Sequence, residues 1–176
     1  SNKAIQNGEE YLRDIGQLGI TYNGSTREEV VNYYFTTTSQ YIGTAIRFMR
    51  DAALFPTFDE AEFAREKEIV IGEIDRNESN PFYYLNRTLM DKLFYKYPTR
   101  KLPLGTRESI QTSTTAKMRL IQGRYYVPNN STVVVTGDVD PNEVFRLVEQ
   151  YFGIWQKRSV DPFKEFPLVE HPPLAK

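Results

Sequence analysis

Ala4, Ile5, Leu12 and Ile15 fall on one face at 3.6 residues per turn, and Gly16 and Gly19 bracket the end of the helix they predict. The period then changes. Ile20 to Thr26 reads as a short strand with a turn or bulge signal, Asn23-Gly24, inside it. Val30 to Thr38 is dense in β-branched and aromatic residues and predicts a second strand, so that the two form an antiparallel hairpin. Helical spacing returns from about Tyr41 to Leu54, where Ala45, Ile46, Phe48, Met49 and Leu54 are apolar, and Pro56 stops the run. Asp59, followed three residues later by Glu62, predicts a capping box for a helix reaching about Asn77. Pro81 opens another helix through Tyr95. Pro98 to Gly105 reads as a loop, Thr114 to Tyr126 as a helix, and Thr132 to Thr136 as a buried strand. Pro141 suits the first turn of a helix that ends at Phe152 before Gly153. Short strands interleaved with pairs of helices predict an α+β fold, a mostly antiparallel sheet with helices layered on one face. Residues 1–158 read as that domain, and the proline-rich stretch 159–176 as an extended linker.

Composition narrows the function classes. A chain of 176 residues with 40% apolar and 26% charged residues has the size and balance of one soluble globular domain. A net charge of −1 with interspersed signs offers neither the basic stripe of a nucleic-acid binder nor a polybasic membrane patch. No apolar run approaches the length of a membrane span, and the N-terminus has no signal-like segment. The absence of cysteine excludes disulfides, thiolate catalysis and cysteine-based metal sites, and leaves a periplasmic or a cytoplasmic location equally open. Twelve tyrosines and eleven phenylalanines against one tryptophan are expected mainly in core and half-buried sheet positions.

Candidate chemistry centres on Glu66 and Glu73. Seven residues apart, they nearly superimpose on one helix face, pointing between Ile69 and Val70, at the margin of the stripe formed by Phe63, Val70, Ile74 and Ile71. Carboxylates at such a margin need a cation from elsewhere in the fold or a metal. Periodicity alone favours a solvated edge paired with neighbours such as Arg65 or Arg76, an arrangement of little energetic value.

The segment Glu62-Phe-Ala-Arg65-Glu66-Lys-Glu-Ile-Val-Ile-Gly-Glu73-Ile resembles the zinc-ligand helix of the M16 (pitrilysin/insulinase) metallopeptidases. Other segments are similar to that family in the same order: Gly19-Ile-Thr-Tyr-Asn23-Gly24-Ser-Thr26 with Tyr33-Tyr34-Phe35, Leu54-Phe-Pro56-Thr-Phe58-Asp59, and Leu102-Pro-Leu-Gly105-Thr106-Arg-Glu108-Ser-Ile110. Arg124-Tyr125-Tyr126-Val-Pro128-Asn129-Asn130, Val-Val-Val-Thr-Gly137-Asp138-Val-Asp140 and the linker-like Glu165-Phe166-Pro167 continue the series. Collinearity over nearly the whole chain is more specific than any single motif.

The resemblance implies roles. Glu73 takes the place of the third zinc ligand, and Glu66 that of the earlier acid, which supports the catalytic site without touching the metal. The strand Ile20–Thr26 takes the place of the edge that pairs with an extended peptide substrate, with Asn23 and Thr26 as candidate substrate contacts; Asn23 reads equally well as a turn former before Gly24. In the family an inverted His-x-x-Glu-His helix supplies two histidine ligands and a water-activating glutamate, and the third ligand follows by roughly 75 residues. That spacing places the catalytic helix just before Ser1 and implies an M16/LuxS-like half missing its first strands. The sole histidine, His171, lies in the proline-rich tail and suits a linker role. The complete enzyme would use zinc for peptide hydrolysis, whereas this chain alone is expected to bind no zinc tightly and to be inactive. Expected partners are the peptide substrate and the remainder of the same polypeptide, including the upstream helix and a C-terminal M16 domain. A homo-oligomer is possible through exposed edges, and no nucleic acid is expected. The alternative is a non-catalytic M16 homologue acting as a structural or substrate-holding subunit.

Overall fold

The structure, a computed structural model, describes residues 8–27, 29–95, 103–159 and 164. The start of the predicted N-terminal helix, part of the predicted loop before Gly105 and nearly all of the predicted linker, with His171, lie outside these residues. Helix α1 (Gly8–Gln17) ends where Gly19 takes a φ of +71°, a left-handed conformation that costs glycine nothing. Strands β1 (Thr21–Thr26) and β2 (Val31–Thr36) form the antiparallel hairpin, in register from Thr21 opposite Thr36 to Thr26 opposite Val31. Asn23-Gly24 therefore makes no turn or bulge. Gly24 sits instead under the ring of Tyr33, where a Cβ would come within 3.3 Å of the ring carbon Cδ1.

Helix α2 (Ile42–Leu54) follows a 3-10 turn at Ser39–Tyr41 and lies against β2. Phe48 on α2 meets Phe35 edge-on at 5.1 Å and Tyr22 at 5.6 Å. Ile15, Ile20, Ala45 and Phe48 make the buried cluster at this junction, so α1, the hairpin and α2 share one core. Helix α3 (Glu60–Glu78) begins at Asp59, whose carboxylate accepts hydrogen bonds from the backbone N–H groups of Ala61 and Glu62. Helix α4 (Pro81–Leu93) is capped in the same way by Asn80.

A five-residue helix, α5 (Arg107–Gln111), follows the predicted loop, and its capping box joins Thr106 to Ser109 reciprocally. Then come α6 (Thr115–Tyr125) and α7 (Pro141–Phe152), the latter capped by Asp140 and packed on α2. The described residues thus form an α+β unit whose helices include α2 on one face of the hairpin.

One predicted element differs. Thr132 to Thr136 is not a strand: it belongs to no ladder, and Val134 is 74% exposed. Strand formation needs a hydrogen-bonding neighbour as well as β-branched residues, and among the described residues the only sheet is β1–β2.

Candidate functional site

Helix α3 carries both candidate carboxylates, and its anchoring defines which face they occupy. Lys67 donates from Nζ to the carbonyl oxygens of Gln111 (2.7 Å) and Ser113 (3.2 Å). The Thr115 hydroxyl donates to Glu60, and Arg107 Nη2 reaches Asp75 at 2.6 Å and Glu78 at 2.9 Å. Glu60, Lys67 and Glu78 follow one helical row, so α3 is tied along its length to α5 and the turn into α6. The apolar side is adjacent: Ile74 is buried, and Phe63, Val70 and Ile71 are half-buried.

Glu66 and Glu73 point elsewhere. Glu73 is turned about 100° from Ile74 and stands above Glu66, two turns away. Both are exposed, and neither has a hydrogen-bond or ion-pair partner among the described residues. Ile69, between them on the wheel, is itself 55% exposed, so the margin of the stripe faces open space. No ion pair joins either of them to Arg65 or Arg76 among the described residues. Exposure does not discriminate a metal ligand from a solvated edge, because a ligand whose co-ligands stand on another segment also faces open space on its own helix.

The candidate peptide edge is separate. All six residues of β1 are exposed, and among the described residues the strand pairs only with β2. Tyr22 packs toward α2, so Thr26 shares its face, while Asn23 alternates to the opposite face beside Tyr34. The Asn23 Oδ1 atom accepts from the Gly24 N–H at 2.8 Å, which leaves the side-chain NH2 group as the end available to donate. No hydrogen bond or ion pair joins β1 to Glu66 or Glu73 among the described residues.

A donor count tests whether zinc fits these residues. Among the described residues no group of three or more histidine, aspartate or glutamate side chains is gathered as a metal site requires. A catalytic zinc takes about three protein donors and an open position, which the described residues do not gather in one place.

The anchoring residues Lys67, Arg107 and Thr115 were not singled out from the sequence. Only Arg107 had a local signal, through its place in a Thr106-x-x-Ser109 cap; the others act across 44 to 55 residues of chain. Near the first turn after α6, the Tyr33 and Tyr126 hydroxyls are 2.5 Å apart. Burial first, and the Tyr33 hydrogen bond second, hold the Tyr126 phenol protonated well above its ordinary range.

Comparison with known proteins adds the lineage. Zinc protease PqqE of Helicobacter pylori is 25% identical over 153 residues, 86% of this chain and 34% of that protein. An uncharacterised zinc protease of Mycobacterium leprae is 27% identical over 153 residues, 85% of this chain and 34% of its own length. The crystal structure of a protease from Helicobacter pylori superposes with a TM-score of 0.81 at 22% identity, over 99% of this chain and 40% of that one. This chain therefore spans about a third of the length of the curated relatives it matches. Residues 114–176 match the family model described as the peptidase M16 inactive domain. Residues 1–105 match the insulinase model of peptidase family M16, and on that match over more than half of its length the chain belongs to the M16 family.

Proposed function

We propose that this chain is part of a zinc-dependent metalloendopeptidase that hydrolyses extended peptides. Within it, Glu73 contributes one metal ligand, Glu66 steadies the ligand environment from one helical turn pair away, and β1 offers its free edge to the substrate backbone. The observation that carries this reading is the match of residues 1–105 to the insulinase model of peptidase family M16, within which Glu66 and Glu73 stack on an exposed face of α3 with no ion-pair partner among the described residues. The names of the relatives, zinc proteases, support the choice of metal. The histidine ligands and the water-activating glutamate are assigned to an upstream segment, and a further M16 domain to the same polypeptide. Bound zinc would supply Lewis-acid polarisation of water and carbonyl. The residues of this chain hold and orient: Glu73 as a fixed donor, β1 through backbone pairing, Asn23 through its free NH2 group, and Thr26 at the far end of the strand.

The test uses the full-length protein. Glu73→Gln is expected to remove stoichiometric zinc and reduce peptide hydrolysis to background, whereas Glu66→Gln should weaken metal affinity by about 10- to 100-fold. Unchanged zinc content and activity in Glu73→Gln sink the proposal. A full-length protein that binds no zinc and cleaves nothing before substitution identifies the non-catalytic homologue instead. This chain alone is expected to carry no stoichiometric zinc and to hydrolyse peptides at background, and a tight zinc site on it would overturn the division of ligands.

A further inference from the structure

β1 carries one of the two Asn-Gly pairs in the chain, Asn23-Gly24; the other, Asn7-Gly8, has its asparagine outside the described residues. An asparagine followed by glycine has a slow chemistry of its own. The next backbone nitrogen attacks the side-chain amide and closes a five-membered ring, provided the two groups meet and nothing crowds them. Here the Gly24 nitrogen lies 2.8 Å from Asn23 Oδ1, and so at most one C=O length, about 1.2 Å, farther from Cγ. Both residues are exposed, and among the described residues β1 pairs only with β2, so water reaches the pair along the open edge.

Packing favours glycine at position 24. A Cβ there would stand 3.3 Å from Tyr33 Cδ1, on the strand opposite, which is tighter than ordinary contact. The same missing Cβ leaves the nitrogen unhindered. In an antiparallel pair the N–H groups turn alternately toward the partner and toward the free edge, and that of Gly24 is turned to its neighbour's side chain. Ring closure requires Asn23 ψ to leave its extended value, and a strand with one open edge yields more readily than a central one. At the exposed residues Asn32, Asn86 and Asn142, by contrast, the next residue is Tyr33, Arg87 or Glu143, whose side chain crowds the corresponding nitrogen.

We infer that Asn23-Gly24 is a site of spontaneous modification, at which the Gly24 nitrogen converts Asn23 to aspartate and isoaspartate with water as the only co-reactant. The nitrogen bonds to Asn23 Cγ as the Cγ–Nδ2 bond breaks, and ammonia leaves with the proton that the nitrogen gave up. Water then opens the cyclic imide. Opening at Cγ gives aspartate, and opening at the Asn23 main-chain carbonyl gives isoaspartate, whose main chain runs through Cβ and Cγ. In sum, an amide and a water become a carboxylate and an ammonium ion, with nothing oxidised or reduced. Isoaspartate lengthens the main chain by one carbon, so Gly24, Ser25 and Thr26 lose register with Tyr33, Asn32 and Val31. Either product places a negative charge on the open edge. The chemistry requires nothing of Glu73, while its consequence for catalysis rests on the reading of β1 as the substrate edge.

The test holds the folded full-length protein at mildly alkaline pH and follows it by tryptic peptide mapping and mass spectrometry. Peptide 14–27 contains Asn23 as its sole asparagine and excludes Asn7. Asn23 is expected to convert about ten-fold or more faster than Asn32, Asn86 or Asn142, with isoaspartate detected by isoaspartyl methyltransferase labelling. Asn23→Gln, which would have to close a larger ring, should slow conversion at this position by about ten-fold or more. In the converted protein, amide exchange of Ser25, Thr26 and Val31 should quicken by about ten-fold, with Ile46 and Leu147 unchanged. The converted protein is also expected to lose peptide hydrolysis at unchanged zinc content. Hydrolysis that persists would remove β1 as the substrate edge, whereas the modification is judged by mass and labelling. The inference is overturned if Asn23 converts no faster than the three comparison asparagines, if it converts only in urea, or if aspartate forms without isoaspartate.

Discussion

Asp51 is the side chain whose environment suits it least. It is 5% exposed in the last turn of α2, where a carboxylate opposes the helix dipole. Its Oδ1 lies 2.7 Å from Arg50 Nε, yet the N–H is not aimed at it and both atoms are buried without a hydrogen bond. Arg50 instead lies over the rings of Phe55 and Tyr151. Burial raises the Asp51 pKa above its ordinary 3.8, and the charges of Arg50 and Arg47 offset only part of that rise. Between the unfolded value and the higher folded one, the native state holds more protons, so its stability falls as pH rises through this window. Asp51→Asn cannot lose a proton there. Its urea midpoint relative to the parent should therefore move in the variant's favour as pH rises from the ordinary carboxylate range toward neutrality. A relative midpoint that moves the other way would show that the Arg50 attraction outweighs desolvation.

Among the elements, α3 shows most clearly how local sequence and tertiary contact divide their tasks. Its start is local, because the Asp59 carboxylate binds two N–H groups that no helix can satisfy internally. Asp59→Ala is expected to lower global stability by about 1 kcal/mol, readable as a shift in denaturation midpoint with unchanged slope. The rotation of α3 about its axis is set instead by distant groups, Arg107 with Asp75 and Glu78 at one end and Thr115 with Glu60 at the other. These contacts are partly exposed, so they choose orientation more than they add stability. Phe58 enters the helix with a φ of +50°, unusual for a residue with a bulky side chain, and Arg119 stacks on its ring at 5.5 Å.

At the level of the whole molecule, the two M16 family models meet between residues 105 and 114, yet packing crosses that boundary. Leu147 of α7 is buried against α2, where a Cβ on Gly43 would lie 3.6 Å from its Cδ2 atom. α6 is joined to α2 by Gln122, which donates to the Ala53 carbonyl at 3.1 Å. The two matched regions are therefore expected to unfold together. Trp155, the sole tryptophan, lies tilted against Phe152 at 5.9 Å between ring centroids and reports on the second region, while far-UV helicity reports on both. Coincident denaturation curves are expected, and Leu147→Ala should shift both by about 2–4 kcal/mol. Separate transitions would show two independent units. Exposed apolar residues also remain on α4, including Phe82 and Leu85, and among the described residues no helix is long and apolar enough to cross a membrane.

The hairpin, both prolines that open helices, the Asp59 cap and the order of elements were legible in the chain, because each depends on side chains a few residues apart. The Glu66–Glu73 stacking was legible for the same reason: helix geometry alone aligns residues seven apart. What Glu73 faces, the unbroken strand through Asn23-Gly24, the Arg107 clamp and the unpaired state of Thr132–Thr136 were decided only in three dimensions. Each depends on a neighbour distant in sequence, or on its absence. A β-branched run specifies a willingness to pair, and the tertiary structure determines whether an edge is there to accept it.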